Sequence, residues 1–295
     1  MPVLTQVLEG TKAPVGDFHV VRALPKAERR FLGPFCFLDH MGPSTQVGHA
    51  KSGVGPHPHI GLATITYLFD GEALHRDSLG TVQRIRPGDV NWMSAGRGIV
   101  HSERTPPDRF GAPMTLHGLQ LWVGLPGHLE ESEPSFQHAD AEALPRFEQD
   151  GARCRVVLGS FRGLTSPIRL ASPTLFAVAE LDAGATLELP ADVGERGVYV
   201  VAGDVGVDGT SLAAHQLGVL EPRTETCLTA LTPARVAVLG GEPLDGPRFM
   251  LWNWVSSRRE RLEQARLDWK HGRFPTIPGD DDERIPGPGE SPPGR

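Results

Sequence analysis

The sequence predicts an all-β protein made of two antiparallel β-barrels in tandem, followed by a short helix and an extended tail. Two observations predict this fold class. Glycine and proline contribute 35 and 27 of the 295 residues and interrupt the chain throughout. Such frequent turn residues favour many short strands over long helices. Between the turns, segments rich in β-branched and aromatic residues recur in both halves of the chain.

Segments with strand composition, each ending at turn residues, occur at 18–24, 33–38, 63–69, 90–93 and 116–123, and again at 154–158, 175–181, 197–203 and 217–220. A polar stretch with Pro134 and Pro145 separates the two series. The pattern of strand, turn glycine and acidic residue at 65–72 returns at 198–204, which indicates a weak internal repeat. We therefore expect one barrel over residues 1–135, a second over 136–250, and the helix and tail over 251–295.

The C-terminal region has the pattern of a short helix. Ser257 and Glu260 fit a capping box, in which Ser257 is the N-cap, and Gly272 follows as a stop signal. The spacing predicts a helix that continues to His271. After Phe274 the chain is rich in proline, glycine and acidic residues, so we expect order there only where the tail lies against a barrel.

Charge and composition exclude several classes of function. The net charge is −7, from 29 basic and 36 acidic residues, and this gives no basic surface for direct nucleic-acid binding. The three cysteines show no paired motif and indicate reduced thiols. No apolar run approaches the roughly 18 residues that span a bilayer, and the N-terminus lacks the pattern of a signal peptide. We expect a cytoplasmic protein without a membrane segment.

Two pairs of ligand-type residues predict a metal site in the first barrel. His57 and His59 are separated by one residue, and so are His101 and Glu103. Side chains at positions i and i+2 of a strand point to the same face. If the two strands are neighbours in a small barrel, three imidazoles and one carboxylate converge on one interior point. Three nitrogens and one oxygen, with room for water or substrate, suit a divalent first-row metal.

Simpler interpretations exist for all of these residues. The two pairs could be ordinary polar residues in turns, although the glycine-rich loops before them, with Gly53 and Gly96, favour a crowded centre. His75 and Asp77 either orient a ligand imidazole or belong to a surface loop. For the candidate pocket residues, which are Trp92, Met93, Phe37 and Leu121, the barrel core is the favoured interpretation. His40 and His117 are equally compatible with structural and pocket roles.

Two segments, HPHIGLATITY at 57–67 and RPGDVNWMSAGRGIVHSE at 86–103, resemble the signature of the pirin family in the cupin superfamily. The segments at 24–43, 72–80, 119–126, 240–247 and 254–280 also resemble pirins, so the similarity covers nearly the whole chain. The resemblance implies a bicupin, with a metal in the N-terminal cupin barrel and a C-terminal cupin barrel that lacks metal ligands. It places the family's ligands on His57, His59, His101 and Glu103.

The chain departs from the common pirin pattern at two positions near the site. Ile60 and Ala63 stand where the family usually has an arginine and a glutamate. In many other cupins a glutamate at the second of these positions binds the metal. The fourth protein donor here is therefore either Glu103 or absent.

Two hypotheses for function follow from the resemblance. The first is a metal-dependent dioxygenase that opens a flavonol-like phenolic, of the quercetin 2,3-dioxygenase type, with Glu103 as ligand and catalytic base. The second is a non-catalytic, metal- or redox-responsive regulator that binds a protein partner. The expected cofactor is one divalent ion, with Fe(II) as the first choice and Mn, Ni, Cu or Zn open. We expect a monomer.

Overall fold

The computed structural model describes residues 3–15 and 18–290. Strands make up 54% of the structure, which confirms the all-β prediction. The described residues contain no helix with the length and apolar character needed to cross a membrane.

The strands of the first half are, in chain order, β1 (Leu4–Glu9), β2 (Thr11–Val15), β3 (Phe18–Leu24), β4 (Phe35–Val47), β5 (Gly53–His59), β6 (Leu62–Asp70), β7 (Ala73–Asp77), β8 (Val82–Ile85), β9 (Val90–Ser94), β10 (Ile99–Arg104), β11 (Pro113–Gly124) and β12 (Ser135–Ala139). Those of the second half are β13 (Arg146–Gln149), β14 (Ala152–Leu158), β15 (Ser160–Phe161), β16 (Leu164–Thr165), β17 (Thr174–Leu181), β18 (Thr186–Leu189), β19 (Glu195–Ala202), β20 (Asp204–Val207), β21 (Thr210–Ala213), β22 (Gln216–Leu220), β23 (Thr226–Ala230), β24 (Ala234–Gly241), β25 (Phe249–Leu251) and β26 (Trp254–Ser256). The helix α1 spans Arg259–Lys270.

The chain forms two compact units, and neither is continuous in sequence. Among the described residues, the first contains 3–13, 20–40 and 139–243, and the second contains 14–15, 18–19, 41–138 and 244–290. The domains expected from the sequence, with boundaries at 135 and 250, are continuous segments of the chain. They stay a prediction.

The first unit has two antiparallel sheets around an apolar core. Their strand orders are β1-β22-β19-β24-β17-β14-β13 and β18-β23-β20-β21. Alternate residues of the central strands enter the core, as in Leu175, Ala177 and Ala179 of β17 and Val236 and Val238 of β24. This alternation is the period of two that is typical of a β-strand.

The second unit contains the strands with the candidate ligands. One sheet has the order β5-β10-β7-β8, and the other includes β12-β9-β6-β11-β4. The strand β5 is therefore an edge strand, which explains how it accommodates Pro56 and Pro58, since proline cannot donate to a neighbouring strand.

The C-terminal helix ends as predicted and begins differently. Gly272 follows it with φ of +66°, the left-handed conformation expected of a glycine stop. The predicted capping box is wrong, because the N-cap is Arg258 and no side chain caps the helix. The hydroxyl of Ser257 instead donates a hydrogen bond to Glu130 Oε2 at 2.8 Å.

One face of α1 packs beside the two strands that carry the metal-ligand pairs. Leu262, Ala265 and Trp269 are buried on the helix, and they share one cluster with Ile60 and Val100. Their spacing of three and four residues is that of a single helical face. Ile60 directly follows His59, and Val100 directly precedes His101.

The tail after the helix crosses the outer edge of β5. The N–H of Ile285 donates to the carbonyl of Pro56 at 2.9 Å. Arg104, at the end of β10, pairs with Asp280 at 3.2 Å and with Glu283 at 2.7 Å. The tail is therefore ordered where it contacts this barrel, as the sequence analysis expected, and it covers an otherwise open edge.

A buried ion pair holds the segment before the helix. The side chains of Arg248 and Glu130 contact each other and are 2% and 4% exposed. Glu130 also accepts hydrogen bonds from the N–H and hydroxyl of Ser257. Removing one partner would leave the other charge buried and uncompensated.

We expect Arg248→Ala to lower the free energy of unfolding by about 3–5 kcal/mol, since it leaves the Glu130 carboxylate buried without its cation. Urea-induced unfolding measures the change. Lys51→Ala is the matched control, because Lys51 forms an exposed pair with Glu283, and its loss should cost no more than about 1 kcal/mol. Equal effects of the two substitutions would contradict this assignment.

Candidate metal centre

The register between β5 and β10 brings the two ligand pairs together. In this antiparallel pairing His101 lies opposite His57, and Ile99 lies opposite His59. The register shifts between His101 and Glu103, so that Glu103 lies opposite Val54. Gly55 and Pro56 of β5 thus lie opposite the single residue Ser102 of β10, which is a β-bulge.

The three imidazoles meet in the interior of the barrel. His57, His59 and His101 are 7%, 1% and 1% exposed, and each offers a ring nitrogen within 4.8 Å of the other two. His59 Nε2 and His101 Nε2 lie 3.1 Å apart. Two nitrogens that share one ion at about 2.0–2.1 Å are separated by roughly 3 Å. The sequence prediction that these three histidines converge agrees with this geometry.

Hydrogen bonds at Nδ1 orient two of the rings. His57 Nδ1 lies 2.7 Å from the carbonyl oxygen of Gly55, and His59 Nδ1 lies 3.0 Å from that of Asn253. A carbonyl only accepts, so each Nδ1 carries the proton and each Nε2 keeps its lone pair in the neutral ring. The rings therefore present metal-ligating atoms to one another, and the donor set fits a divalent metal ion.

Burial keeps these imidazoles neutral. Desolvation lowers the pKa of His57 to about 4, against the opposing effect of its hydrogen bond to Gly55. Desolvation also lowers the pKa of His59 and His101 well below the usual range, and the neighbouring histidines add to this effect. Neutral imidazole is the form that binds a metal, so the site is prepared for a cation without prior loss of protons.

Glu103 lies beside this cluster but belongs to a second group of potential ligands. Its carboxylate lies within 4.8 Å of ligand atoms of His75 and His101, and His57 and His59 are not members of that group. Thr66 Oγ1 donates a hydrogen bond to Glu103 Oε1 at 2.6 Å. Desolvation raises the pKa of Glu103, although the bond from Thr66 opposes the shift. The four-residue ligand set stays a prediction.

His75 and Asp77 are buried next to the centre, at 2% and 0% exposure, and are not in a surface loop. They lie on β7, which pairs with the other side of β10. His75 Nε2 contacts Asp77 Oδ2 at 3.0 Å, and His75 Nδ1 lies 3.5 Å from His101 Nδ1. Of the two interpretations of this motif, the geometry favours contact with a ligand imidazole.

Thr66 and the carbonyl of Asn253 contact the candidate ligands and were not predicted from the sequence. Thr66 gave a weak signal, since it is a polar residue within the apolar run 63–69. The Asn253 carbonyl gave no signal, because any residue has a backbone acceptor and only the folded chain places it beside His59.

Two glycines in the loops before the ligand pairs permit main-chain segments to lie close together. Gly53 has φ of +103°, and a Cβ there would overlap the carbonyl oxygen of Glu103. Gly96 has φ of +48°, and a Cβ there would overlap the carbonyl oxygen of Ser132. Both positions combine a left-handed backbone with contact between main chains, so only glycine fits without rearrangement.

The other candidate residues have structural surroundings. Trp92, Met93 and Leu121 are at most 2% exposed, as expected of barrel core. His40 Nδ1 contacts the hydroxyl of Tyr199 at 3.0 Å in the first unit. His117 Nδ1 lies 3.4 Å from Asp70 Oδ2 in the second unit. The expectation that the C-terminal barrel binds no metal stays a prediction.

A small cavity reaches Glu103. Its volume is about 60 Å³, and the side chains of Phe18, Met114 and Leu116 provide apolar lining. Glu103, Glu72 and Arg104 provide charged groups. Ligand pockets for molecules of drug size are larger, at about 300–1,000 Å³.

Comparison with known proteins identifies the family. The family model described as Pirin matches residues 17–123, and the model described as Pirin C-terminal cupin domain matches residues 176–275. The chain belongs to the pirin family. This membership confirms the predicted bicupin fold, with two cupin domains.

Similar proteins cover most of this pirin chain. A pirin-like protein from Caulobacter vibrioides is 46% identical over 286 residues, which is 96% of this chain and 98% of the relative. Human pirin is 31% identical over 263 residues, or 86% and 87% of the two chains. The crystal structure of a quercetin 2,3-dioxygenase from Acinetobacter baumannii has a TM-score of 0.89 and 34% identity, and covers 98% of this chain and 97% of that one.

We expect the affinity for Co²⁺ to decrease as the pH falls toward the raised pKa of Glu103, because a carboxyl group is protonated below its pKa and the proton competes with the cation. The three imidazoles have lowered pKa values and stay neutral over this interval. Calorimetric titrations at a series of pH values below neutral test this. Glu103→Gln is the matched variant, and an unchanged pH dependence in it would show that Glu103 is not involved.

Proposed function

We propose that this pirin is a metal-dependent dioxygenase that opens a phenolic, flavonol-like substrate. One observation carries the proposal: three buried, neutral imidazoles direct ring nitrogens to a common point. The likeness to a quercetin 2,3-dioxygenase supports the reaction type. Fe(II) remains the first choice of metal, with Mn, Ni, Cu or Zn open.

His57, His59 and His101 would hold the metal through Nε2, and Glu103 would be the fourth protein ligand. A divalent cation in this position supplies Lewis acidity toward a phenolic oxygen. The chain's own contribution is to keep these donors dry and fixed, since two of the rings are tied by hydrogen bonds to main-chain carbonyls. Only small adjustments are then required when a ligand arrives.

Glu103 is the proposed base for the substrate hydroxyl. Burial raises the pKa of its carboxyl group and thereby makes the carboxylate a stronger proton acceptor. Thr66 Oγ1 holds one carboxylate oxygen at 2.6 Å, which leaves the other oxygen to receive the proton. In this proposal Glu103 binds the cation through that second oxygen and, when the carboxylate leaves the cation, accepts the proton of the substrate there.

We expect the metal-loaded protein to consume O₂ in the presence of quercetin, and His101→Ala to reduce the rate to that of free metal, because the site loses one of its three nitrogens. An oxygen electrode measures the rate, and elemental analysis measures the bound metal. His271→Ala is the control, since His271 is an exposed residue at the end of α1. A loaded wild-type protein with no turnover above free metal would rule out the dioxygenase proposal.

The cavity beside Glu103 is too small for a flavonol in its present form. At about 60 Å³ it must widen if the substrate enters from that side, and Met114 is the flexible apolar side chain in its lining. We expect Met114→Ala to lower the KM for quercetin several-fold with a smaller change in kcat. Steady-state kinetics measure both, and Leu231→Ala, at an exposed position of the first unit, is the control. A KM equal to that of wild type would exclude this route.

Binding of a protein partner, the alternative expected from the sequence, stays a prediction, as do the monomeric state and the cytoplasmic location. The regulatory alternative would be favoured by a metal-loaded protein that binds a protein partner and shows no turnover.

A further inference from the structure

We propose that Asp77 and His75 are positioning residues that fix the proton of His101 on Nδ1, so that its Nε2 faces His57 and His59 as an unprotonated ligand atom. The inference rests on the metal centre of the proposed function, but it concerns the metal-free protein as well. In the proposed role neither of these two buried side chains is itself a metal ligand.

The first step is the placement of the pair by β7. In the pairing of β10 with β7, Asp77 lies opposite His101 and His75 lies opposite Glu103. This pairing has no register shift, so both residues of the pair reach the same face as the two candidate ligands. Phe136 stacks on the His75 ring, with a centroid distance of 4.6 Å and an interplanar angle of 26°. The ring of His75 is therefore held on one side by packing.

The second step is the orientation of the Asp77 carboxylate. Its Oδ1 accepts the backbone N–H groups of Leu79 at 2.9 Å and Thr81 at 3.0 Å. These two bonds leave Oδ2 facing His75 Nε2 at 3.0 Å. An ionised carboxylate has no proton to donate, so His75 Nε2 carries the hydrogen.

The third step concerns which ring nitrogen of His101 carries the proton. We take His75 as the neutral imidazole: its one N–H is then at Nε2, and its Nδ1 is an acceptor. His101 Nδ1 lies 3.5 Å from it, at the long end of the hydrogen-bond range. The proton of His101 is then on Nδ1, and its Nε2 is free to bind a metal. For His57 and His59 a main-chain carbonyl makes the same choice.

The variant Asp77→Asn tests the chain of hydrogen bonds without removing volume. The N–H groups of Leu79 and Thr81 still need an acceptor, so the amide oxygen of the new side chain takes the place of Oδ1. The amide nitrogen then faces His75 Nε2. His75 must then accept at Nε2 and donate from Nδ1. His101 becomes the acceptor at Nδ1 and moves its own proton to Nε2, where it blocks the cation.

The experiment has two readouts. Long-range ¹⁵N–¹H NMR of the metal-free protein reports which nitrogen of His101 carries the proton, and calorimetry reports Co²⁺ affinity. We expect Nδ1–H in wild type and Nε2–H in Asp77→Asn, with an affinity loss of roughly 10–100-fold. Adding His75→Asn to Asp77→Asn should restore much of the affinity, because the Asn oxygen near the former Nδ1 accepts from His101 whatever residue 77 is.

Asp70→Asn is the matched control, because Asp70 pairs with His117 in the same barrel and should leave His101 and Co²⁺ binding unchanged. If Asp77→Asn does not fold, His75→Phe compared with His75→Asn makes the same test, and only His75→Phe should weaken binding. An Nε2–H tautomer in wild type, or unchanged tautomer and affinity in Asp77→Asn, would overturn the inference. A wild type with Nδ1–H that binds no Co²⁺ supports the inference and contradicts the proposed function.

Discussion

The register of β5 against β10 is the constraint on which the metal centre depends. Side chains alternate along a strand, so a slip of one residue would turn His57 and His59 to the opposite face. The observed register places His57 opposite His101. The bulge at Gly55 and Pro56 lies between this pair and Glu103, so His57 and His101 are themselves in regular register. The site is therefore a consequence of strand pairing rather than of loop conformation.

Burying three imidazoles together has a cost that the fold offsets only in part. Each ring must satisfy its polar nitrogens, since a buried donor or acceptor without a partner is destabilising by about 1–3 kcal/mol. Main-chain carbonyls satisfy Nδ1 of His57 and His59. The Nε2 atoms of His59 and His101 instead face each other at 3.1 Å. Two lone pairs that face each other at this distance can share one cation, so the arrangement fits a metal ion.

The C-terminal segment completes the same barrel from outside. Ile60, directly after β5, and Val100 of β10 adjoin the candidate ligands and share one apolar cluster with Trp269 of α1. The tail then bonds to Pro56 on the free edge of β5. Because β5 is an edge strand with two prolines, its own ladder provides few hydrogen bonds. Helix and tail therefore support the ligand strand where the sheet cannot.

How far the sequence predicts this structure depends on how local each feature is. Strand alternation is local, so the spacing alone predicts that His57 and His59 share one face of a strand. Their convergence with His101 also required the assumption that the two strands are neighbours. The capping box failed because Glu130, distant in sequence, binds Ser257. The role of His75 was left open because it depends on β7 pairing with β10, and the motif alone does not show which strand is the neighbour.

The fourth donor shows where spacing stops being sufficient. On β10 the relation of His101 and Glu103 is intact, so both face the interior, as predicted. On β5 the bulge moves the chain by one residue, and Glu103 lies opposite Val54 instead of Gly55. Its carboxylate is consequently grouped with His75 and His101, and Thr66 holds one of its oxygens. The spacing along β10 therefore predicts which face Glu103 occupies, and its membership of a four-ligand site stays a prediction.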